Sequence, residues 1–231
     1  MKLASLFSGG KDSTYAAFIA SKKHQLCCLL TLKSENKESY MFHTANIELA
    51  KEQAKLMKIP IIFQETKGVK EEELKDIEEA LKQIKKKYAI EGVVTGAVAS
   101  KYQKSRIEKI CKKLGLKCLS PLWHKAPEKT LRKMIEAGFE IVVTAVAAEG
   151  LGKEWLGRKI SNQAVDELIL LSRKFGIHIM GEGGEFETLV TDCPMFSKKI
   201  LIEKYEKLWE PGTRSGELII KKIKLCDKLI I

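Results

Sequence analysis

The stretch LASLFSGGKDSTYAAFIA, residues 3–20, decides how this chain begins to fold. Residues 3–7 form an apolar run of strand length, and the segment that follows the loop has the spacing of a helix. Between them lie Gly9 and Gly10. Adjacent glycines cost backbone entropy and are kept where a chain turns tightly or where something approaches closely. The stretch therefore predicts a buried strand, a tight loop and a helix in direct succession.

The first half of the chain repeats this alternation. Strand-length apolar runs and helical patterns follow one another. The helical pattern that starts near residue 43 ends just before Pro60. We predict further strands at 26–32, 61–64 and 92–98, and helices within 43–60, 69–88 and 105–115. Such alternation predicts an α/β fold, a parallel sheet with helices on both faces.

A boundary is predicted near SPLWHKAPEK, residues 120–129. We expect a nucleotide-binding domain over residues 1–122 and a smaller, substrate-binding α+β domain over 123–231. The second part contains predicted helices at 128–137 and 162–175, a strand at 141–147, and a tail whose alternating pattern indicates antiparallel strands.

Composition narrows the functional classes. The net charge of +11 would suit a nucleic-acid partner, but lysine is mixed with glutamate along helical patterns, which is typical of solvated helix faces, so we do not expect such a partner. No apolar stretch has the length of a membrane span, and the first residues lack the order of a signal peptide. We expect a cytoplasmic protein. Its six cysteines form no CxxC pair, so we expect mostly buried thiols.

The loop SGGKDS, residues 8–13, carries several groups that bind anions. A loop from a strand into a helix directs backbone N–H groups and the positive end of the helix dipole at a ligand. Lys11 supplies a cation, Ser8 and Ser13 supply hydroxyls, and Asp12 could hold Mg²⁺ or cap the helix. The alternative is a simple capped helix after a glycine turn. That alternative leaves the lysine and the second glycine unexplained.

SGGKDS resembles the pyrophosphate loop of the ATP pyrophosphatases, whose adenine nucleotide alpha-hydrolase (HUP-like) fold and cleavage of ATP to AMP and pyrophosphate we then expect. Nearly the whole chain is similar to the diphthine–ammonia ligase family. The resemblance is carried by SYMFHT, GAVASKYQKSRIE, the segment 116–123, VAAEGL and GEGGEFETLVTDCP, which begin at residues 39, 96, 116, 146 and 181. It implies an enzyme that uses ATP and ammonium to convert diphthine on elongation factor 2 into diphthamide through an acyl-adenylate.

The resemblance also implies which residues bind ATP. These are the loop residues Ser8, Gly9, Gly10, Lys11, Asp12 and Ser13, followed by Met41, His43, Gly96, Tyr102, Gln103 and Arg106. Lys11 and Asp12 are candidate catalytic residues. A guanidinium such as that of Arg106 can clamp a phosphate or a carboxylate, but a surface arginine on a basic helix would look the same. His43 could equally cap the next helix.

A second glycine-rich stretch, GEGGEFET at residues 181–188, crowds three carboxylates together, so a cation is expected nearby. The diphthine side chain carries a trimethylammonium group, and aromatic faces beside carboxylates attract such groups. We therefore expect a carboxylate of this stretch, with Phe186, Trp123 or Trp155, to recognise it, and we treat Glu185 as a candidate catalytic residue. The substrate-binding candidates are Glu182, Gly183, Gly184, Glu185, Phe186, Glu187 and Thr188. The alternative is a plain glycine-rich hairpin.

Two other functions fit the same loop. One is a tRNA-modifying ATP pyrophosphatase of the thiolase or lysidine type, against which stands the lack of cysteine pairs. The other is a sensor that binds ATP without cleaving it. The sequence leaves open whether the protein is a homodimer and whether Cys111 and Cys118 pair.

Overall fold

The computed structural model describes residues 1–34, 46–67 and 72–228. The chain divides into two compact units, residues 1–124 and 125–231, and each is described by itself. None of the described helices is both long and apolar enough to cross a lipid bilayer.

The first unit alternates strands and helices as its sequence predicts. A short 3₁₀ turn leads directly into the second helix. The elements are β1 (Lys2–Leu6), α1 (Lys11–Ser21), β2 (Gln25–Ser34), α2 (Ala50–Met57), β3 (Ile61–Thr66), α3 (Glu72–Tyr88), β4 (Gly92–Val94), α4 (Lys101–Lys113) and β5 (Lys117–Leu119).

These five strands form one parallel sheet in the order β3-β2-β1-β4-β5. The chain runs outward from β1 in one direction through β2 and β3, and in the other through β4 and β5. The order therefore reverses between β1 and β4, which pair from Leu3 with Gly92 to Ser5 with Val94. In open α/β sheets, ligands bind at such a reversal, outside the carboxyl ends of the strands.

Helices cover both faces of this sheet. On one face, Ile77 and Leu81 of α3 and Ile107 of α4 pack in a buried cluster with Ala4 and Leu30. Side chains alternate along a strand, so neighbouring residues point to the opposite face. Leu3 and Leu29 are fully buried there, and α1 and α2, which bury a row of alanines, cover them. The predicted fold class is confirmed.

The second unit is the predicted smaller α+β domain. Its sheet is antiparallel, in the order β7-β6-β9-β8, and β8 and β9 form a long hairpin. Strand β7 begins inside the GEGGEFET stretch, for which the sequence suggested a hairpin only as the alternative to a substrate site. The elements are α5 (Pro127–Glu136), β6 (Glu140–Val146), α6 (Asn162–Phe175), β7 (Phe186–Asp192), β8 (Lys199–Glu210) and β9 (Ser215–Cys226).

All six cysteines are free thiols. Three are buried and three are half-buried, so fewer are buried than the sequence suggested. Cys111 and Cys118 lie side by side without a disulfide. The pKa of Cys111 is raised by its hydrogen bond with Cys118 and by burial, whereas the same hydrogen bond lowers the pKa of Cys118.

Candidate active site

The SGGKDS loop lies at the carboxyl end of β1 and runs directly into α1. Gly9 has φ +80°, a conformation that favours glycine, and Gly10 occupies the position before the first helical residue. Since Gly10 has no side chain, no side chain at that position caps the first N–H groups of α1. The first N–H groups of a helix have no partner within the helix. The start of α1 is therefore suited to receive an anion.

The two serines close the loop on itself. The backbone N–H of Ser8 donates to the Ser13 hydroxyl at 3.2 Å, and the two hydroxyl oxygens lie 3.1 Å apart. The Ser13 hydroxyl also donates to the Gly10 carbonyl at 3.2 Å. These hydrogen bonds within the loop hold its shape. Each hydroxyl group could also rotate and donate to a bound anion.

Lys11 and Asp12 form an ion pair within the loop. The Lys11 ammonium lies 2.7 Å from Oδ2 of Asp12, and the lysine side chain is 3% exposed against 26% for the aspartate. A buried ammonium needs a compensating charge or several acceptors. Asp12 supplies that charge here, and phosphate oxygens could supply it instead.

Gln53 belongs to this site, although the sequence analysis did not single it out. It is fully buried on α2, and its Nε2 donates to the Gly9 carbonyl at 2.9 Å. A Cβ on Gly9 would lie 2.2 Å from its Oε1, so only glycine fits there. Gln53 shares the buried face of α2 with Ala50, Ala54 and Met57. A polar residue among the apolar positions of a helix was the feature of the sequence that could have pointed to Gln53.

Gly96, a predicted ATP contact, follows β4 and lies against the start of α1. A Cβ at this position would be 2.8 Å from the Ser13 nitrogen and 2.9 Å from the carbonyl carbon of Asp12. The absent side chain lets the loop after β4 approach the SGGKDS loop. The loops that leave the two strands at the order reversal thus meet.

The other predicted ATP contacts lie at the beginning of α4 or outside the described residues. Ser100 caps α4 by accepting a hydrogen bond from the Gln103 N–H at 3.3 Å. The Arg106 guanidinium stacks on the Tyr102 ring, 3.4 Å from its centroid, so these two side chains form one unit. Met41 and His43 lie outside the described residues.

In the second unit, Glu185 organises the GEGGEFET stretch, residues 181–188, which we call the acidic glycine loop. Its Oε1 accepts the His178 N–H and its Oε2 accepts the Gly183 N–H, each at 2.7 Å. Both carboxylate oxygens are thereby engaged by the backbone on either side of the loop. Gly181 and Gly184 have positive φ, and a Cβ on Gly184 would meet nothing within 4 Å. This arrangement gives Glu185 a positioning role for the loop.

The aromatic candidates divide by burial. Phe186 and Trp155 are buried in the second unit, and the Arg158 guanidinium, held by Glu167, covers the Trp155 ring at 4.4 Å. Burial leaves little of either ring's surface for a quaternary ammonium, and contact of these rings with the substrate stays a prediction. Trp123, in the first unit, is half-buried.

The remaining members of the motif continue into β7. Thr188 is buried, and Glu187 is half-buried opposite Ala145 of β6. Burial raises the pKa of the Cys193 thiol, at the end of the motif, to about 12, which leaves no thiolate there at neutral pH. Across the described ranges, no group of three or more His, Cys, Asp or Glu side chains is placed to hold a metal ion.

Comparisons with known proteins cover both units. Two family models match, the diphthamide synthase N-terminal domain over residues 1–118 and the diphthamide synthase C-terminal domain over residues 126–226. The diphthine–ammonia ligases of Rattus norvegicus and Homo sapiens are each 36% identical to this chain over 225 residues, covering 89% of this chain and 84% of their own. That of Schizosaccharomyces pombe is 34% identical over 245 residues, covering 99% of this chain and 40% of its own.

A solved structure is also similar. It is described as the predicted subunit of a tRNA methyltransferase from Methanocaldococcus jannaschii, and the match covers 84% of this chain and 98% of that one. The identity is 18% and the TM-score is 0.42, so this likeness supports no conclusion about activity.

Proposed function

Because the chain belongs to the diphthamide synthase family, we propose that it is an ATP-dependent diphthine–ammonia ligase. The observation that carries the chemistry is the SGGKDS loop at the strand-order reversal. Its lysine is buried, and Gly10 is the residue before the first turn of α1. The reaction joins a carboxylate, ATP and ammonium to give an amide, AMP, pyrophosphate and a proton. Its substrates are diphthine on elongation factor 2 and ammonium, and we propose that it works in the cytoplasm, where that factor acts.

The reaction needs an activated carboxyl group, because amide formation from a carboxylate is uphill in water. A diphthine carboxylate oxygen attacks the α-phosphorus of ATP, and the bond from that phosphorus to pyrophosphate breaks. Ammonia then attacks the acyl carbon, the bond to AMP breaks, and the nitrogen loses a proton. Charge develops on pyrophosphate in the first step, so donors fixed around it lower the barrier.

We assign that stabilisation to the SGGKDS loop. The N–H groups at the start of α1, the Lys11 ammonium and the hydroxyls of Ser8 and Ser13 are donors of the type that phosphate oxygens accept. Asp12 is the acidic side chain of the loop, so we propose it for a Mg²⁺ that accompanies ATP. Its carboxylate would then exchange the Lys11 ammonium for the metal, and Lys11 would turn to the phosphates.

Six further residues are proposed for the rest of the nucleotide. Tyr102 offers an aromatic ring, and Arg106 offers a planar set of N–H donors. Stacking on the ring fixes the position of the guanidinium. Met41 and His43 are proposed for adenine from the family resemblance alone. Gly96 contributes by lacking a side chain, since a Cβ has no room there, and Gln103 is proposed from the family resemblance alone.

We propose the acidic glycine loop for the substrate side chain. Glu185 holds the loop through two backbone N–H groups, and we propose that Glu182 and Glu187, the other two carboxylates of the stretch, face the trimethylammonium group. A tRNA-modifying enzyme and a non-catalytic sensor are not favoured, because relatives at 33–36% identity are named diphthine–ammonia ligases.

The direct test supplies ATP, ammonium and diphthine-bearing elongation factor 2 to the purified protein. We expect sustained release of AMP and pyrophosphate to require both partners, and the factor to change mass as a carboxylate becomes an amide. Lys11→Ala should abolish turnover, while Lys55→Ala, which removes an exposed lysine of α2, should not. AMP formation stimulated by tRNA alone, or ATP binding without AMP, would instead favour the other two functions.

A further inference from the structure

The hairpin of β8 and β9 leaves a long strand edge open. β8 ends the sheet order β7-β6-β9-β8, and within residues 1–34, 46–67 and 72–228 no strand pairs with its outer side. An edge strand presents a row of backbone N–H and C=O groups that can pair with another strand. β8 has 12 residues, against about 5–6 for a usual strand. The edge is therefore long enough for stable pairing.

Exposed apolar side chains concentrate on the same hairpin. Of the six large apolar side chains exposed among the described residues, four belong to it, with exposures between 39% and 54%. They are Leu201, Tyr205, Leu208 and Leu225. Three of them lie on β8 itself. Long apolar edges are usually covered in native proteins, because open ones aggregate.

The sequence of β8 is complementary to itself when reversed. Residues 201–209 are LIEKYEKLW, and Tyr205 is their centre. In two antiparallel copies related by a two-fold axis at Tyr205, Lys204 lies opposite Glu206 of the second copy, and Glu203 lies opposite its Lys207. Farther out, Ile202 meets Leu208 and Leu201 meets Trp209. Every charge in the segment thus meets its opposite, and every aliphatic side chain meets an apolar one.

Neighbouring registers lack this complementarity. Facing side chains must share a face of the sheet, so the axis can only pass through a residue. An axis at Lys204 places two lysines opposite each other, and an axis at Glu206 does the same with two glutamates. Like charges directly opposite are destabilising. The ladder to β9 shifts on both sides of Lys204, but the two shifts cancel between the Ile202–Ile223 and Tyr205–Ile220 pairs, so the spacing along the edge is kept.

The charges of β8 also favour this pairing. Glu203 and Glu206 already contact Lys222 and Lys221 of β9, at 2.7 and 3.4 Å. Lys204 and Lys207 have no carboxylate partner within the described ranges. A second copy would bring one carboxylate to each of these lysines, and each glutamate would gain a second ammonium.

We propose that β8 is a dimerisation strand, which pairs antiparallel with β8 of a second copy of this chain about a two-fold axis at Tyr205. The two four-stranded sheets of the second units join edge to edge, in an interface that uses the same patch on both copies. This inference does not depend on the proposed function.

Two charge variants of the full chain test whether β8 pairs with its copy. Lys204→Glu with Lys207→Glu makes the centre of β8 wholly acidic, and Glu203→Lys with Glu206→Lys makes it wholly basic. The acidic variant keeps both ion pairs to β9, so its hairpin is expected to fold. Mass in solution is measured by light scattering for the unchanged protein, for each variant and for an equal mixture of the two.

The unchanged protein is expected to be a dimer that weakens with added salt, and each variant alone a monomer. The mixture is expected to form a dimer of one acidic and one basic copy, because every charge pair is restored in that register. A monomeric unchanged protein would overturn the proposal. So would an acidic variant that remains a dimer, or a mixture that stays monomeric.

Discussion

The side-chain amide of Gln53 donates a hydrogen bond to the backbone carbonyl of Gly9, across 44 residues of sequence. Through this bond, helix α2 fixes the turn that starts the SGGKDS loop. The shape of the anion cradle therefore depends on a residue outside the loop, and the dependence can be tested.

Replacing Gln53 with leucine should weaken ATP binding without unfolding the protein. The change leaves the Gly9 carbonyl buried beside an apolar group, which costs about 1–3 kcal/mol. If about 1.4 kcal/mol of that cost falls on the ATP-bound state alone, the KM for ATP rises roughly tenfold. Gln83→Leu, on the exposed face of α3, is the matched control. An unchanged KM in the Gln53 variant would show that the loop holds its shape unaided.

Gly96→Ala should impair both stability and ATP turnover. The new methyl would have to displace the backbone of Asp12 and Ser13, which lies within 3 Å of its position. Overpacking of this kind costs about 1–3 kcal/mol. Thermal unfolding and AMP release would measure the two effects. Gly212→Ala is the control, since its methyl would meet only a flexible Glu210 carboxylate at 3.4 Å.

Glu185→Ala should loosen the acidic glycine loop. It removes an acceptor from the His178 and Gly183 N–H groups, and hydrogen bonds to charged groups contribute about 1.5–3 kcal/mol each. We expect a lower melting temperature and weaker binding of the protein substrate. Glu136→Ala, at an exposed position on α5, should change neither. A Glu185 variant that loses turnover with its melting temperature unchanged would instead indicate a direct catalytic role.

Acid should weaken the second unit through Glu140. Burial raises the pKa of this carboxyl group, but hydrogen bonds from Lys159 and Lys199 outweigh burial and hold the pKa below its ordinary 4.5. A lowered pKa in the folded state adds stability above the unfolded value, and this stability is lost as the pH falls through the folded value. Glu140→Gln should therefore be less stable than the unchanged protein at pH 7. The difference should shrink as the pH falls below 4.5, as urea unfolding at both values would show. A constant difference would mean that the lysines contribute nothing through charge.

Much of the fold follows from local sequence. The helix at 162–175 matches its predicted bounds, because Ser161 caps it and Gly176 ends it with φ +73°. Strand β7 was not predicted, because it directly follows a glycine-rich loop and is formed by pairing with β6. Local propensity does not contain such long-range pairing.

The candidate site was predictable where one segment carries it. The SGGKDS loop is made by adjacent residues, so its sequence contains its chemistry. Gln53 reaches it from another helix, and only the three-dimensional packing brings Gln53 to Gly9.

The measurement that tests the central claim most directly is exchange of labelled pyrophosphate into ATP, without ammonium. If the SGGKDS loop holds pyrophosphate while a diphthine adenylate forms, the step is reversible and the label enters ATP. We expect exchange only in the presence of diphthine-bearing elongation factor 2, and none in Lys11→Ala. Label entering ATP from ADP instead, without exchange of pyrophosphate, would mean that the γ-phosphate is transferred and would contradict the account.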